Sequence, residues 1–137
     1  MMRNLLIGIY RTLRDNGPAD WRWEHSFSPA GLPLPFGRFR VSGGTPAERT
    51  TGLYQVMEYT LDLQLWHTID EEIASVIDDL LQLFYGPGCF TYTDGVVLDA
   101  YAVNLTIDTD PDKTPEGGDV WMGQLSFEIK VQEKPGE

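Results

Sequence analysis

The chain has 137 residues, 42% of them hydrophobic, and its 21 acidic against 10 basic side chains give a formal charge of −11. That length suits one domain, residues 1–137, with a core large enough to hold without staples, and the single cysteine, Cys89, excludes a disulfide framework. So acidic a balance repels phosphate backbones and excludes recruitment of nucleic acid by counterion release, but it leaves room for a protein that merely surrounds DNA.

The first apolar run, Leu5 to Tyr10, is short and bracketed by Arg3, Arg11 and Arg14, which fits neither a signal peptide nor a membrane span. Leu6, Ile9, Tyr10 and Leu13 recur at helical spacing, with Leu5 beside them, predicting a helix over Met2 to Asp15 that stops at Asn16-Gly17-Pro18. From 17 to 52 prolines and glycines dominate, among them Pro29, Pro33, Pro35, Gly43, Gly44 and Pro46, and the segment is predicted as an irregular connector with two short strands. In the first, Trp21, Trp23, His25 and Phe27 alternate with Arg22, Glu24 and Ser26; in the second, Phe39 and Val41 alternate with Arg38, Arg40 and Ser42.

Leu53 to Trp66 carries the clearest alternation. Leu53, Met57, Tyr59, Leu61, Leu63 and Leu65 share one face, interrupted by Gln55, and Tyr54, Val56, Glu58, Thr60, Asp62, Gln64 and Trp66 share the other. A period of two sends these sets to opposite sides of a strand, one toward the core and one toward water. Fourteen residues exceed the usual ~5–6, which predicts either a projecting hairpin arm or a strand crossing a wide sheet. A helix follows, with Thr68 and Glu71 at capping-box spacing, acidic Asp70, Glu71 and Glu72 at its positive end, and an apolar stripe of Ile69, Ile73, Val76, Ile77, Leu80, Leu81 and Phe84 before Gly86-Pro87-Gly88. Two further alternating runs, Val97 to Ile107 and Trp121 to Val131, predict antiparallel strands joined by the acidic loop Asp108 to Asp119; Lys134 to Glu137 predicts a frayed end. The sum is an α+β fold, an antiparallel sheet packed against two helices in the order helix, short strands, long strand, helix, strand, strand.

Chemistry is thin along this chain. His25, His67 and Cys89 lie far apart in sequence without zinc-ligand spacing or the convergent partners a nucleophile needs. There is no phosphate-binding or dinucleotide loop. Asp108, Asp110 and Asp112 alternate like calcium ligands, but Lys113 stands where an EF-hand has Gly and Asp119 where it has Glu. Glu58 and Asp62, four apart on a strand, are separated by roughly 13 Å, wider than a glycosidase pair. No catalytic residue, metal or cofactor is therefore assigned. Aromatics and arginines are more informative: Trp21, Arg22, Trp23, Arg38, Arg40 and the out-of-place Trp66 are residue types enriched where proteins meet, unless a connector or helix end of the same chain covers the rings.

The order of elements resembles that of tail terminator, or tail-completion, proteins of long-tailed bacteriophages. The resemblance rests on the opening helix Asn4 to Arg14, the strand Pro33 to Val41, the strand Tyr59 to His67 running into helix Asp70 to Phe84, and the final strand Val120 to Gln132. Trp21-Arg22-Trp23 and the loop Asp108 to Asp119 have no counterpart in it. It implies a homo-oligomeric ring, typically of six subunits, that caps the tail tube, stops its growth, joins tail to head and lets DNA pass, with the tube and connector proteins as partners and no membrane. From a different class, a small-ligand module would enclose a pocket lined by Tyr59, Tyr101 and Phe127.

Overall fold

A computed structural model describes residues 2–18, 21–25, 35–49, 55–109 and 120–133. Helix α1 spans Met2–Asn16 and buries Leu5, Ile9 and Leu13 completely, one residue per turn on one stripe. Thr12 is buried beside them, and its hydroxyl donates to the Gly8 carbonyl at 2.7 Å, which removes the cost of an unpaired polar group.

One six-stranded sheet follows in the order β1-β2-β3-β6-β5-β4. Its strands are β1 (Arg22–His25), β2 (Phe36–Arg49), β3 (Gln55–His67), β4 (Thr91–Tyr92), β5 (Gly95–Thr109) and β6 (Trp121–Glu133), with α2 (Asp70–Leu83) between β3 and β4. The α+β class therefore holds, while the sheet is mixed: β1 runs parallel to β2, and every other pair is antiparallel.

The second half of the expected connector is a strand of 14 residues. Its glycines and proline disguise it. Gly43 and Gly44 hold φ of +93° and +65° at a register shift against β3, a bulge that costs glycine no steric strain. Pro46 lies beyond the reach of β1, which pairs only with Phe36 to Phe39, and beside a second register shift against β3, positions where a strand tolerates proline.

β3 is the centre of the sheet. It pairs with β6 along its whole length, Gln55 with Glu133 through His67 with Trp121, and with β2 over nearly the same span. Its length thus crosses the sheet and does not project as an arm. Met57, Tyr59, Leu61, Leu63 and Leu65 are buried as the alternation predicts; Leu53 and Tyr54 lie outside the described residues.

α2 packs Ile73, Val76, Ile77, Leu80 and the following Phe84 onto the same face. Gly123 makes this approach feasible, since a Cβ there would meet the Ile73 side chain at 2.6 Å. The helix starts differently from the expected Thr68 box. Ile69 is the N-cap without a side-chain cap bond, the Asp70 carboxylate accepts the Glu71 N–H at 2.9 Å, and His67 Nδ1 accepts the Ile69 N–H at 3.0 Å. α1 touches both outer strands, β1 and β4, and so closes the curled sheet over the core.

Candidate assembly surface

The sheet has a second, outer face, formed by Phe36, Arg38 and Arg40 of β2, the even-numbered residues of β3 from Glu58 to Trp66, and their register partners on β6. Its polar residues are cross-linked. Arg38 donates to the Gln64 side-chain oxygen, Ser126 Oγ donates to Asp62 Oδ1 at 2.6 Å, Thr60 Oγ1 donates to Glu128 Oε1 at 3.1 Å, and Arg40 stands 3.7 Å from Asp62. Arg38, Arg40, Asp62, Gln64, Gln124 and Ser126 line a shallow groove of about 270 Å³. The Arg40 pair is largely solvated and contributes little to stability.

Trp66 lies at one end of this face and is only 4% exposed. Phe36 stacks on it at 4.8 Å, Arg38 lies over its ring at 5.6 Å, and Val120 and Met122 complete a small second core. Its position opposite the leucine face is thus explained within the chain. Trp23 is also buried, at 6% exposure: it rests on Gly37, its register partner, where a Cβ would meet the indole at 2.3 Å. Its indole N–H has no hydrogen-bond partner among the described residues. Trp21 is half-buried, 6.0 Å from the Trp23 ring and 5.9 Å from His67. Of the six residues singled out in the sequence, Arg22 and Arg40 are exposed and Arg38 is half-buried; with Phe36 opposite Arg22, all three arginines share the outer face.

The proposed ligand pocket does not form. Tyr59 and Phe127 are buried on the helix-bearing face, whereas Tyr101 pairs with Glu128 on the outer face and is 49% exposed. His67 spends Nδ1 on the chain turn into α2. Cys89 is half-buried, and burial pushes its thiol pKa up, away from the thiolate a nucleophile requires. Asp110, Asp112, Lys113 and Asp119 lie outside the described residues; Asp108 belongs to β5.

Two features escaped the sequence reading. Glu133 is 2% exposed, and its carboxylate accepts from the Tyr59 hydroxyl at 2.7 Å and the Tyr92 hydroxyl at 3.1 Å. Burial first, then the Glu133 charge and its hydrogen bonds, raise both phenol pKa values well above the ordinary 10.0. Because the folded values lie above the unfolded ones, this contribution is fully present below about pH 10 and is lost as the pH rises above it. In a spectrophotometric titration, two of the six tyrosines are expected to ionise only with alkaline unfolding. Ionisation of all six before any loss of far-ultraviolet circular dichroism would contradict this.

The other feature is β5. Every side chain from Tyr101 to Asp108 is exposed, including Tyr101, Val103 and Leu105 at 49% each and Ile107 at 37%. β4 pairs only with Gly95 and Val96, and the turn after α2 covers a little more through Gly88 N–H to Val97 O and Gly86 N–H to Ala100 O. Beyond Ala100 the strand has β6 on one side and no described strand on the other. Exposed apolar side chains along a strand that no described strand covers mark a site of association.

Among the described residues no helix is long and apolar enough to cross a membrane. The chain matches no protein-family model and no curated protein. Among solved structures its fold recurs: a chain described as "Virion of native gene transfer agent (GTA) particle" aligns over 96% of this chain and 96% of its own length, with a TM-score of 0.56 and 14% sequence identity. At that identity the likeness is one of fold, and it extends from end to end.

Proposed function

We propose that the chain is a structural virion protein of a tail, acting by association and not by catalysis, and that its working form is a ring of identical subunits, six in number. The ring caps the tail tube, stops its polymerisation and joins the tail to the head at the head-proximal end, after assembly in the host cytoplasm. The observation that carries this reading is the end-to-end fold likeness to a virion chain; the resemblance of the sequence to tail terminators and the exposed residues 101–108 of β5 agree with it. Six copies carry sixfold the −11 charge of one, and such a wall around a channel lets DNA slide past without adhering. The exposed Arg22 and Arg40, with the half-buried Arg38 and Trp21, are offered as contacts with a neighbouring subunit or the tube, supported from beneath by Trp23 and Trp66.

Native mass spectrometry with negative-stain imaging tests this, on the protein alone and after addition of purified tail tube protein. The expected result is a discrete closed ring with a central channel, free or seated on the tube end. A monomer that neither closes into a ring alone nor binds tube ends would overturn it.

A further inference from the structure

The part of β5 that no described strand covers and the basic side of the sheet are opposite ends of one surface. On the outer face, β1 and β2 present Arg22, Arg38 and Arg40. At the other end Asp99, Tyr101 and Asp108 of β5 stand in register with Lys130, Glu128 and Met122 of β6. One edge is therefore basic with a half-buried tryptophan beside it, and the other is acidic and apolar. Tyr101 and Glu128 lie on the outer face, whereas Leu105 and Ile107 pair with Leu125 and Gly123 on the helix-bearing face, so apolar side chains flank the open edge on both sides. Both faces of the strand need cover, which a partner that grips the edge supplies and a flat surface does not.

Resting on the ring reading, we infer that the Tyr101–Asp108 edge of β5 docks against the β1/β2 edge, at Arg22 and Arg40, of a second copy of this chain. Charge complementarity selects that partner surface: pairing β5 with β5 would set Asp99 and Asp108 against the same acidic edge, whereas β1/β2 offers arginines. Joining two different edges is a head-to-tail contact, which generates a ring when its rotation closes. The register shifts between Val97 and Asp99 and between Ala102 and Asn104 interrupt a regular ladder, so side chains carry the contact more than continuous strand addition does.

The test uses the full chain with Cys89→Ser and two new thiols, Leu105→Cys and Arg22→Cys. In dilute protein the Leu105→Cys thiol is expected to react freely with a maleimide. In concentrated protein a short bis-maleimide is expected to give a ladder of oligomers only when both new cysteines are present. In the native-mass assay, Leu105→Glu is expected to raise the concentration for half-assembly at least about tenfold, equivalent to ~1.4 kcal/mol. An unreactive thiol in the dilute monomer means that the chain covers its own edge, and the docking idea fails. Equal cross-linking of the Leu105→Cys single variant means β5 pairs with itself, and it fails again. Rings that survive Leu105→Glu at unchanged concentration leave the ring reading intact and sink this contact. An open ladder without closed rings supports the contact and sinks the ring, and no ladder and no ring removes both.

Discussion

Replacing Phe127 by Ala is expected to lower the unfolding free energy by about 3–5 kcal/mol, the range for removing a large aromatic from a packed interior. Phe127 is fully buried on β6, its ring centroid 5.4 Å from that of Phe84. In the ladder it stands between Leu61 of β3 and Ala102 of β5. Neither neighbour can refill the space: Leu61 is fully buried, and Ala102 carries only a methyl group. Part of the loss is transfer of the ring from water and part is the cavity left between α2 and the sheet. The more conservative Phe127→Leu is expected to cost less than half as much. Urea denaturation of the monomer, with midpoint and slope fitted together, measures both. A loss below ~1 kcal/mol for Phe127→Ala would mean that α2 does not close over β6 as described.

The elements that were legible in sequence are those where one physical rule acts alone. β3 is central and polar on one face only, so its alternation survives as a period of two from Met57 to Leu65. α2 shows a helical stripe because it covers the sheet from one side. β5 misled the same reasoning for a definite reason. Val97, Tyr101, Val103, Leu105 and Ile107 all fall on odd positions and read as one face, yet two register shifts turn the strand over. Val97 faces the core against Val131, Tyr101 faces outward against Glu128, and Leu105 returns to the core side against Leu125. Bulges leave no mark in a hydrophobic pattern, and neither does the exposure of residues 101–108. Trp23 and Trp66 were ambiguous because a tryptophan on a short edge strand, or one opposite a leucine face, serves equally to meet a partner or to sit beneath residues distant in sequence. The Gly37 platform and the Phe36 stack decide that point, and neither is visible until β2 is placed beside β1 and β3. Nothing in the sequence marks Glu133 either, since its tyrosine partners lie 41 and 74 positions away.

The burial of Trp66 separates two consequences that the sequence joined. Trp66→Ala is expected to destabilise the monomer by about 3–5 kcal/mol, because it removes the ring on which Phe36 stacks and over which the Arg38 guanidinium lies. An offset aromatic pair contributes about 0.5–1.5 kcal/mol beyond its buried area and a half-exposed cation–π contact about 0.5–1 kcal/mol. The remainder is apolar area and cavity shared with Val120 and Met122. Trp66→Phe keeps most of the stack and is expected to lose less than half of that stability. If Trp66 itself touched a neighbouring subunit, Trp66→Phe would weaken assembly more than it weakens the fold. With the ring buried, the order is reversed: thermal unfolding shifts first, and assembly, measured where the variant is fully folded, changes only as far as Arg38 loses its support. An assembly defect in Trp66→Phe at unchanged melting temperature would return Trp66 to the contact surface and contradict its burial in the monomer.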